Sequence, residues 1–200
     1  SVRRWDLLDP TPFDASVRAV VSTVNDPHDR VLSAAVKAGI PYVDITRWTE
    51  RLRSAASRVG TVTLQAPVMF ASSWMAGVAA VVAVAASRPL KRVNSVDIAV
   101  LFSLKDKAGP NSAEYMDRLA TPFEVMINGQ PTQVRPYTDP RAVTFPGGYR
   151  GNAYRFDTPD QLTLPAATGA QTVAARIAFD DAMAANLLVF LTRSGIWKLI

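Results

Sequence analysis

The sequence contains no cysteine and a single histidine, His28. The first absence excludes a disulfide framework, a thiolate zinc site, an iron–sulfur cluster and a cysteine nucleophile. A lone imidazole excludes a histidine metal cage, and no metal site is expected. Neither a G-x-G-x-x-G turn nor a G-x-x-x-x-G-K-[ST] loop occurs, so no segment has the glycine pattern that cradles a phosphate at a helix N-terminus. Also missing is a basic stretch followed by an apolar run near Ser1, so no secretory leader is read and a cytoplasmic location is expected. The longest apolar stretch, Val68 to Ala86, is rich in Ala, Val and Gly and interrupted by Ser72 and Ser73. It reads as a buried helix rather than a membrane span.

What is present is a chain of 200 residues, 48% hydrophobic and 20% charged, enough for one good core or two small ones. The formal net charge of +5 invites a nucleic-acid reading. The basic residues are dispersed, however, over Arg3 and Arg4, then Arg47, Arg51, Arg53 and Arg58, then Arg88, Lys91 and Arg92. On a helix from about Thr49 to Val59, Arg51 and Arg58 share a face opposite Leu52, Ala55, Ala56 and Val59, the pattern of a solvated outer face. Neither a nucleic-acid nor a membrane partner is expected.

The first third alternates strand and helix. Val2–Leu8 reads as a strand stopped by Pro10 and Pro12, with a short helix near Phe13–Val17. Ala19–Val24 is a β-branched run of the kind covered on both faces, ended by Asn25-Asp26-Pro27. A helix over Asp29–Ala38, with Asp29 as its cap and Gly39 as its left-handed stop, leads to a strand over Ile40–Ile45. Thr46 or Thr49 caps the next helix, Gly60 closes it, and a strand follows at Thr61–Leu64. Short connections between such elements form a parallel α/β layer with right-handed crossovers.

After Pro67 the pattern becomes α+β. A helix over roughly Ser72–Ser87 precedes a strand at Ser95–Leu104 and a helix near Ser112–Leu119. Phe123–Ile127, Asn128-Gly129 and Thr132–Val134 make a hairpin with a type I′ turn. Val143–Pro146, Ala153–Phe156 and Thr172–Phe179 are further strands, and a last helix covers Asp181–Ser194. The expected architecture is α/β: a parallel layer over residues 1–67, then an α+β unit with a mixed or antiparallel sheet over 68–200.

Ligands of open parallel sheets sit beyond the carboxyl ends of the strands. Asp6, the group Asn25-Asp26-Pro27-His28, the group Asp44-Ile45-Thr46, and Ala66-Pro67-Val68 lie there. They either line a ligand edge or simply end strands and cap helices. His28 is a conceivable proton-transfer group or a helix-start residue. Within Gly147-Gly148-Tyr149-Arg150-Gly151, Tyr149 and Arg150 either hold a carboxylate substrate or form a plain turn.

Taken in order, Asp6-Leu7-Leu8, A-V-V-S-T-V-N-D-P, A-G-I-P-Y-V-D-I-T, Q-A-P-V-M-F-A-S-S-W-M-A-G-V-A-A and V-T-F-P-G-G-Y-R-G-N-A-Y-R-F-D-T-P-D-Q-L-T-L-P resemble saccharopine dehydrogenase-like oxidoreductases. The resemblance covers the later half of their nucleotide-binding domain and their second domain. It implies a partial Rossmann-like sheet for NAD or NADP, a second domain giving substrate contacts and a homodimer surface, and hydride transfer at a carbon bearing nitrogen. It places Asp6 near the adenine, Asn25 and Pro27 beside the nicotinamide half, and Asp44 and Thr46 along the cleft; Trp74, from the turn that departs from the family, and Tyr149 and Arg150, from their own chemistry, are the candidate contacts of a small-molecule substrate. The sequence departs from the family in lacking the glycine-fingerprint strand and helix before Ser1, and in reading A-P-V-M-F-A-S-S where a glycine-containing turn is usual. The chain is therefore expected to be a distal fragment that binds cofactor poorly alone. The alternative is a non-catalytic assembly or binding module with a degenerate Rossmann layer.

Overall fold

A computed structural model describes residues 13, 16–103, 105–106 and 118–194. The strand expected at Val2–Leu8, the site residue Asp6, residues 14–15 of the helix expected near Phe13–Val17 and most of the helix expected near Ser112–Leu119 lie outside the described residues; residues 13, 16 and 17 are not helical. Of the latter helix, Arg118–Ala120 is described, as a 3-10 turn.

The architecture is α/β, with one parallel and one mixed sheet. The parallel sheet holds β1 (Val20–Ser22), β2 (Tyr42–Asp44) and β3 (Val68–Phe70) side by side in chain order. Helices α1 (Arg30–Ala38) and α2 (Thr49–Gly60) make the crossovers. Gly39, at φ 64°, ends α1 in the left-handed conformation that its lack of a Cβ permits. The row Val20, Tyr42 and Val68, together with Phe70, packs against Val31, Leu32 and Ala35 of α1 and Ala55 of α2. Two successive right-handed crossovers in one direction put both helices on the same face.

That geometry corrects the reading of Ala19–Val24 as a strand covered on both faces. The opposite row runs through Val21, Val43 and Met69, with Val21 62% and Met69 59% exposed. The strand expected at Thr61–Leu64 is also displaced. Those residues form an exposed connection after α2, and the third strand starts where the Pro67 carbonyl accepts the Tyr42 N–H at 3.0 Å. The alternation in Thr-Val-Thr-Leu suits a strand, but among the described residues no strand pairs with it. The parallel sheet therefore takes its last strand from beyond Pro67.

The mixed sheet has the order β4 (Ser95–Phe102), β9 (Thr172–Phe179), β8 (Arg150–Arg155), β7 (Arg141–Thr144). β4 is parallel to β9 and the other neighbours are antiparallel. A separate hairpin pairs β5 (Phe123–Ile127) with β6 (Gln130–Val134). Asn128 and Gly129, at φ 51° and 76°, supply the two positive angles of its turn. Helix α3 (Val78–Ser87) and helix α4 (Asp160–Thr168) cover one face of the mixed sheet through Ala80, Ala83, Val84 and Leu164. Helix α5 (Ala182–Ser194) packs Ala185, Leu188 and Val189 against the aromatic cluster of Tyr137, Tyr154, Phe156 and Phe179.

The apolar stretch 68–86 is not one buried helix. It divides into β3, a 3-10 turn at Trp74–Gly77 and α3, because Gly77 adopts φ 87° between the last two. No residue of α3 is fully buried, and Val78, Val81 and Val82 face outward. Among the described residues no helix is long and apolar enough to cross a membrane.

Candidate functional site at the carboxyl edge of the parallel sheet

β1, β2 and β3 end at Ser22, Asp44 and Phe70, and the loops that follow carry a buried ionic network. Arg47 is its centre, with a side chain 1% exposed. Its Nη1 lies 2.5 Å from Asp29 Oδ1 and its Nε 2.9 Å from Asp44 Oδ2, while its guanidinium sits 5.3 Å from the Phe70 ring centroid. Its backbone N–H donates to Ser72 Oγ at 2.8 Å, so one residue ties the ends of β2 and β3 to the start of α1. Burial alone would weaken the Arg47 cation, but the hydrogen bond to Asp29 and the charges of Asp44 and Asp29 outweigh it and hold the proton more tightly than usual.

Asp44 is fully engaged. Its Oδ2 accepts from the Tyr42 hydroxyl at 2.7 Å as well as from Arg47, and its Oδ1 accepts from the Thr46 N–H at 2.9 Å and the Thr46 hydroxyl at 3.0 Å. Burial raises the Tyr42 pKa to about 12, with the Asp44 carboxylate adding to it, so this phenol stays a donor. The Thr46 hydroxyl also lies 3.2 Å from the Val24 carbonyl at the end of β1. Asn25 Oδ1 accepts from Arg51, whose guanidinium also reaches the Asp26 carbonyl and, at 3.3 Å, Asp29.

Several expected roles change here. Asp29 occupies the cap position of α1 at φ 54° without a capping bond, because its carboxylate serves Arg47. Asp26 takes over, its Oδ2 accepting from the Val31 N–H at 2.8 Å and its Oδ1 from the His28 N–H at 3.3 Å. Neither Thr46 nor Thr49 caps α2, whose first turn is preceded by Trp48. Arg51 is not on a solvated face: its side chain is 14% exposed, whereas Arg58 is half exposed and pairs with Asp29 at 3.3 Å.

The second unit faces this edge. Thr49 donates to Asp157 Oδ1, Arg118 Nη2 lies 2.6 Å from Asp157 Oδ2, and Trp48 is flanked by the guanidinium groups of Arg118 and Arg51 at 4.3 and 5.0 Å. Just beyond β3, the Trp74 N–H donates to Asp160 Oδ2 at 2.7 Å, and the Trp74 ring stacks on Phe156 with centroids 5.3 Å apart. Asp160 is wholly buried and has no cation beside it among the described residues, so burial raises its pKa against the opposing Trp74 hydrogen bond. Arg53 and Glu124 close the outer side at 2.6 Å.

The structure thus brings together Asn25, Asp44 and Thr46, and places Trp74 at the adjoining strand end. Pro27 and His28 stand exposed at the start of α1. Tyr149 and Arg150 lie elsewhere, at the end of the β7–β8 turn and the start of β8: Tyr149 packs on Phe145 and donates to the Phe179 carbonyl at 2.7 Å, and Arg150 is exposed. Sequence reading missed Arg47, Arg118, Asp157 and Asp160. Only the Asp44-x-x-Arg47 spacing was a local signal, since the other partners are distant in sequence. Among the described residues no group of three or more His, Cys, Asp or Glu could hold a metal ion. No protein-family model and no curated protein matches the chain significantly.

Proposed function

We propose that this chain supplies the distal strands of a dinucleotide-binding sheet and the substrate unit of an NAD(P)-dependent oxidoreductase of saccharopine dehydrogenase type, acting on a carbon bearing nitrogen. The observation that carries the reading is the half-clothed parallel sheet. Three adjacent parallel strands in chain order, with both helices on one face, are what the second half of a 3-2-1-4-5-6 doubly wound sheet supplies. The exposed Val21 and Met69 mark the opposite face, which further elements of a complete doubly wound enzyme would cover.

In this reading Asp44 does not touch the cofactor, because its oxygens are already engaged. It positions Thr46. The nicotinamide half would meet Thr46, Asn25 and the neighbouring backbone, and Trp74 would stand on the substrate side. A bound nicotinamide cofactor would supply the hydride, while the chain's own residues orient substrate and exclude water.

The test is a titration of the protein made from its whole open reading frame with NADH and NADPH, read by thermal midpoint and nicotinamide fluorescence. A saturable rise with one of them supports the proposal, since a ligand held by the folded state alone raises stability with its concentration. No response to either overturns it.

A second reading, an assembly module, is favoured by the apolar residues left outside: Val78, Val81 and Val82 on α3, and Met183, Leu187 and Phe190 on α5. It names a second copy of this chain as the partner, and sedimentation equilibrium distinguishes a dimer from a monomer.

A further inference from the structure

The face of the mixed sheet away from α3 and α4 carries a second ionic cluster, independent of the function proposed above. Asp97 of β4, Arg176 of β9, Arg155 of β8 and Arg141 of β7 follow one another across the strand order. Asp97 accepts from Arg176 Nη1 and, through Oδ2 at 2.6 Å, from Arg141 Nη1. Asp139, in the loop before β7, accepts from Arg176 Nη2 at 2.6 Å and Arg155 Nη2 at 2.7 Å through one oxygen. The loop is held in place because the Tyr137 N–H donates to the Arg155 carbonyl and the Arg155 N–H to the Thr138 carbonyl.

The charges in this group do not balance. Three guanidinium groups share two carboxylates, and Arg155 stands directly opposite Arg176 in the strand register, where like charges repel. Arg155 Nη1 is buried and has no acceptor among the described residues. A buried charged donor left unpaired is costly, so a fold that keeps one has either a compensating partner or a standing penalty. Burial, and the neighbouring Arg176 and Arg141 charges, weaken the Arg155 cation beyond what Asp139 restores. Arg141, Asp139 and Asp97 are the members of the cluster that reach solvent, with side chains 53%, 44% and 37% exposed.

We propose that Arg155 and Arg141, backed by Arg176, form a binding site for one oxyanion, the carboxylate or phosphate group of a small ligand. The forked guanidinium of Arg155 offers the unused donor, and Arg141 is the exposed arm that reaches the anion first. One monoanion would bring three cations and two anions to neutrality.

The experiment is a titration of the whole chain with sodium acetate and, separately, inorganic phosphate, each against sodium chloride at equal ionic strength. It reads the thermal midpoint and the 15N guanidinium resonances of the arginines. A saturable shift of the Arg155 resonance with a rise in midpoint is expected. Response to acetate alone identifies a carboxylate site, and response to phosphate alone a phosphate site. Arg155→Met should abolish the response, and Arg141→Ala should weaken binding by about tenfold, the loss of one charge-assisted hydrogen bond. Should Arg155→Met not fold, Arg141→Ala carries the comparison, its side chain being half exposed. Neither acetate nor phosphate shifting Arg155 beyond chloride, or either variant responding like the parent, overturns the proposal.

Discussion

Arg47→Met is the perturbation whose consequence the structure defines best. The substitution keeps an unbranched apolar stem against Phe70 and removes the charge that serves two buried carboxylates. They are not equally exposed to the loss. Asp29 keeps Arg51 and Arg58, each at 3.3 Å, whereas Asp44 keeps the Tyr42 and Thr46 donors and, among the described residues, no other cation. Removing one partner of a buried ion pair costs about 3–5 kcal/mol, and the arginines remaining at Asp29 place this case at the lower end, about 3 kcal/mol. For a chain of this size that is a fall of roughly 6–12 °C in Tm. Urea denaturation followed by tryptophan fluorescence gives the free energy directly. Adding Asp44→Asn to Arg47→Met makes the orphaned carboxylate neutral and should restore about half of the loss, leaving the double variant about 1.5 kcal/mol below the parent. An Arg47→Met variant within about 1 kcal/mol of the parent, with no gain from the second change, would refute the view that Arg47 holds this edge together.

Two further substitutions test separate parts of the argument. Asp160 has a folded-state pKa above its ordinary 3.8, so between the two values the folded state binds more protons than the unfolded. Its contribution to stability is therefore present at low pH and is lost as pH rises from about 3.8 through the folded value. Asp160→Asn should remove that loss, making the variant equal to or more stable than the parent at neutral pH; parallel urea midpoints across the range would contradict it. At Gly129 a Cβ would come within 2.5 Å of Gln171 Oε1, at φ 76°. Gly129→Ala should cost about 1–2 kcal/mol in a thermal melt, with the added change Gln171→Ala recovering the steric share but not the backbone share. A melt unchanged by Gly129→Ala would remove the type I′ turn from the account.

What sequence reading recovered and what it missed separate by the range of the forces involved. β9 from Thr172 to Phe179, the Asn128-Gly129 hairpin and α1 with its Gly39 stop depend on local chemistry, and they stand where the pattern put them. Helix α4 was not read, because Leu162-Thr163-Leu164 alternates like a strand and Pro165 lies inside the helix, where it removes a backbone donor. Packing of Leu164 against Val173 and Ala170 overrides that local preference. β1 was recognised, but its burial was overestimated. A β-branched run shows that a strand is favoured, while the number of covered faces depends on where the crossover helices fall.

The site shows the same division more sharply. The polar residues after β1 and β2 that the sequence pattern groups at the strand ends lie on one edge of the sheet, and there the Asp44 oxygens serve Tyr42, Thr46 and Arg47. A carboxylate with every acceptor direction used is a fixed strut, and what it fixes is the hydroxyl of Thr46 against the Val24 carbonyl. The opposing wall is built from Asp157 and Asp160, at the start of a helix the sequence did not disclose, pinned to Thr49 and to the Trp74 N–H. Because one wall is anchored through Arg47 and the other through these two aspartates, loosening either changes the spacing between Thr46 and Trp74. In the proposed function, ligand contact and fold stability at this edge would be coupled through the same charged groups.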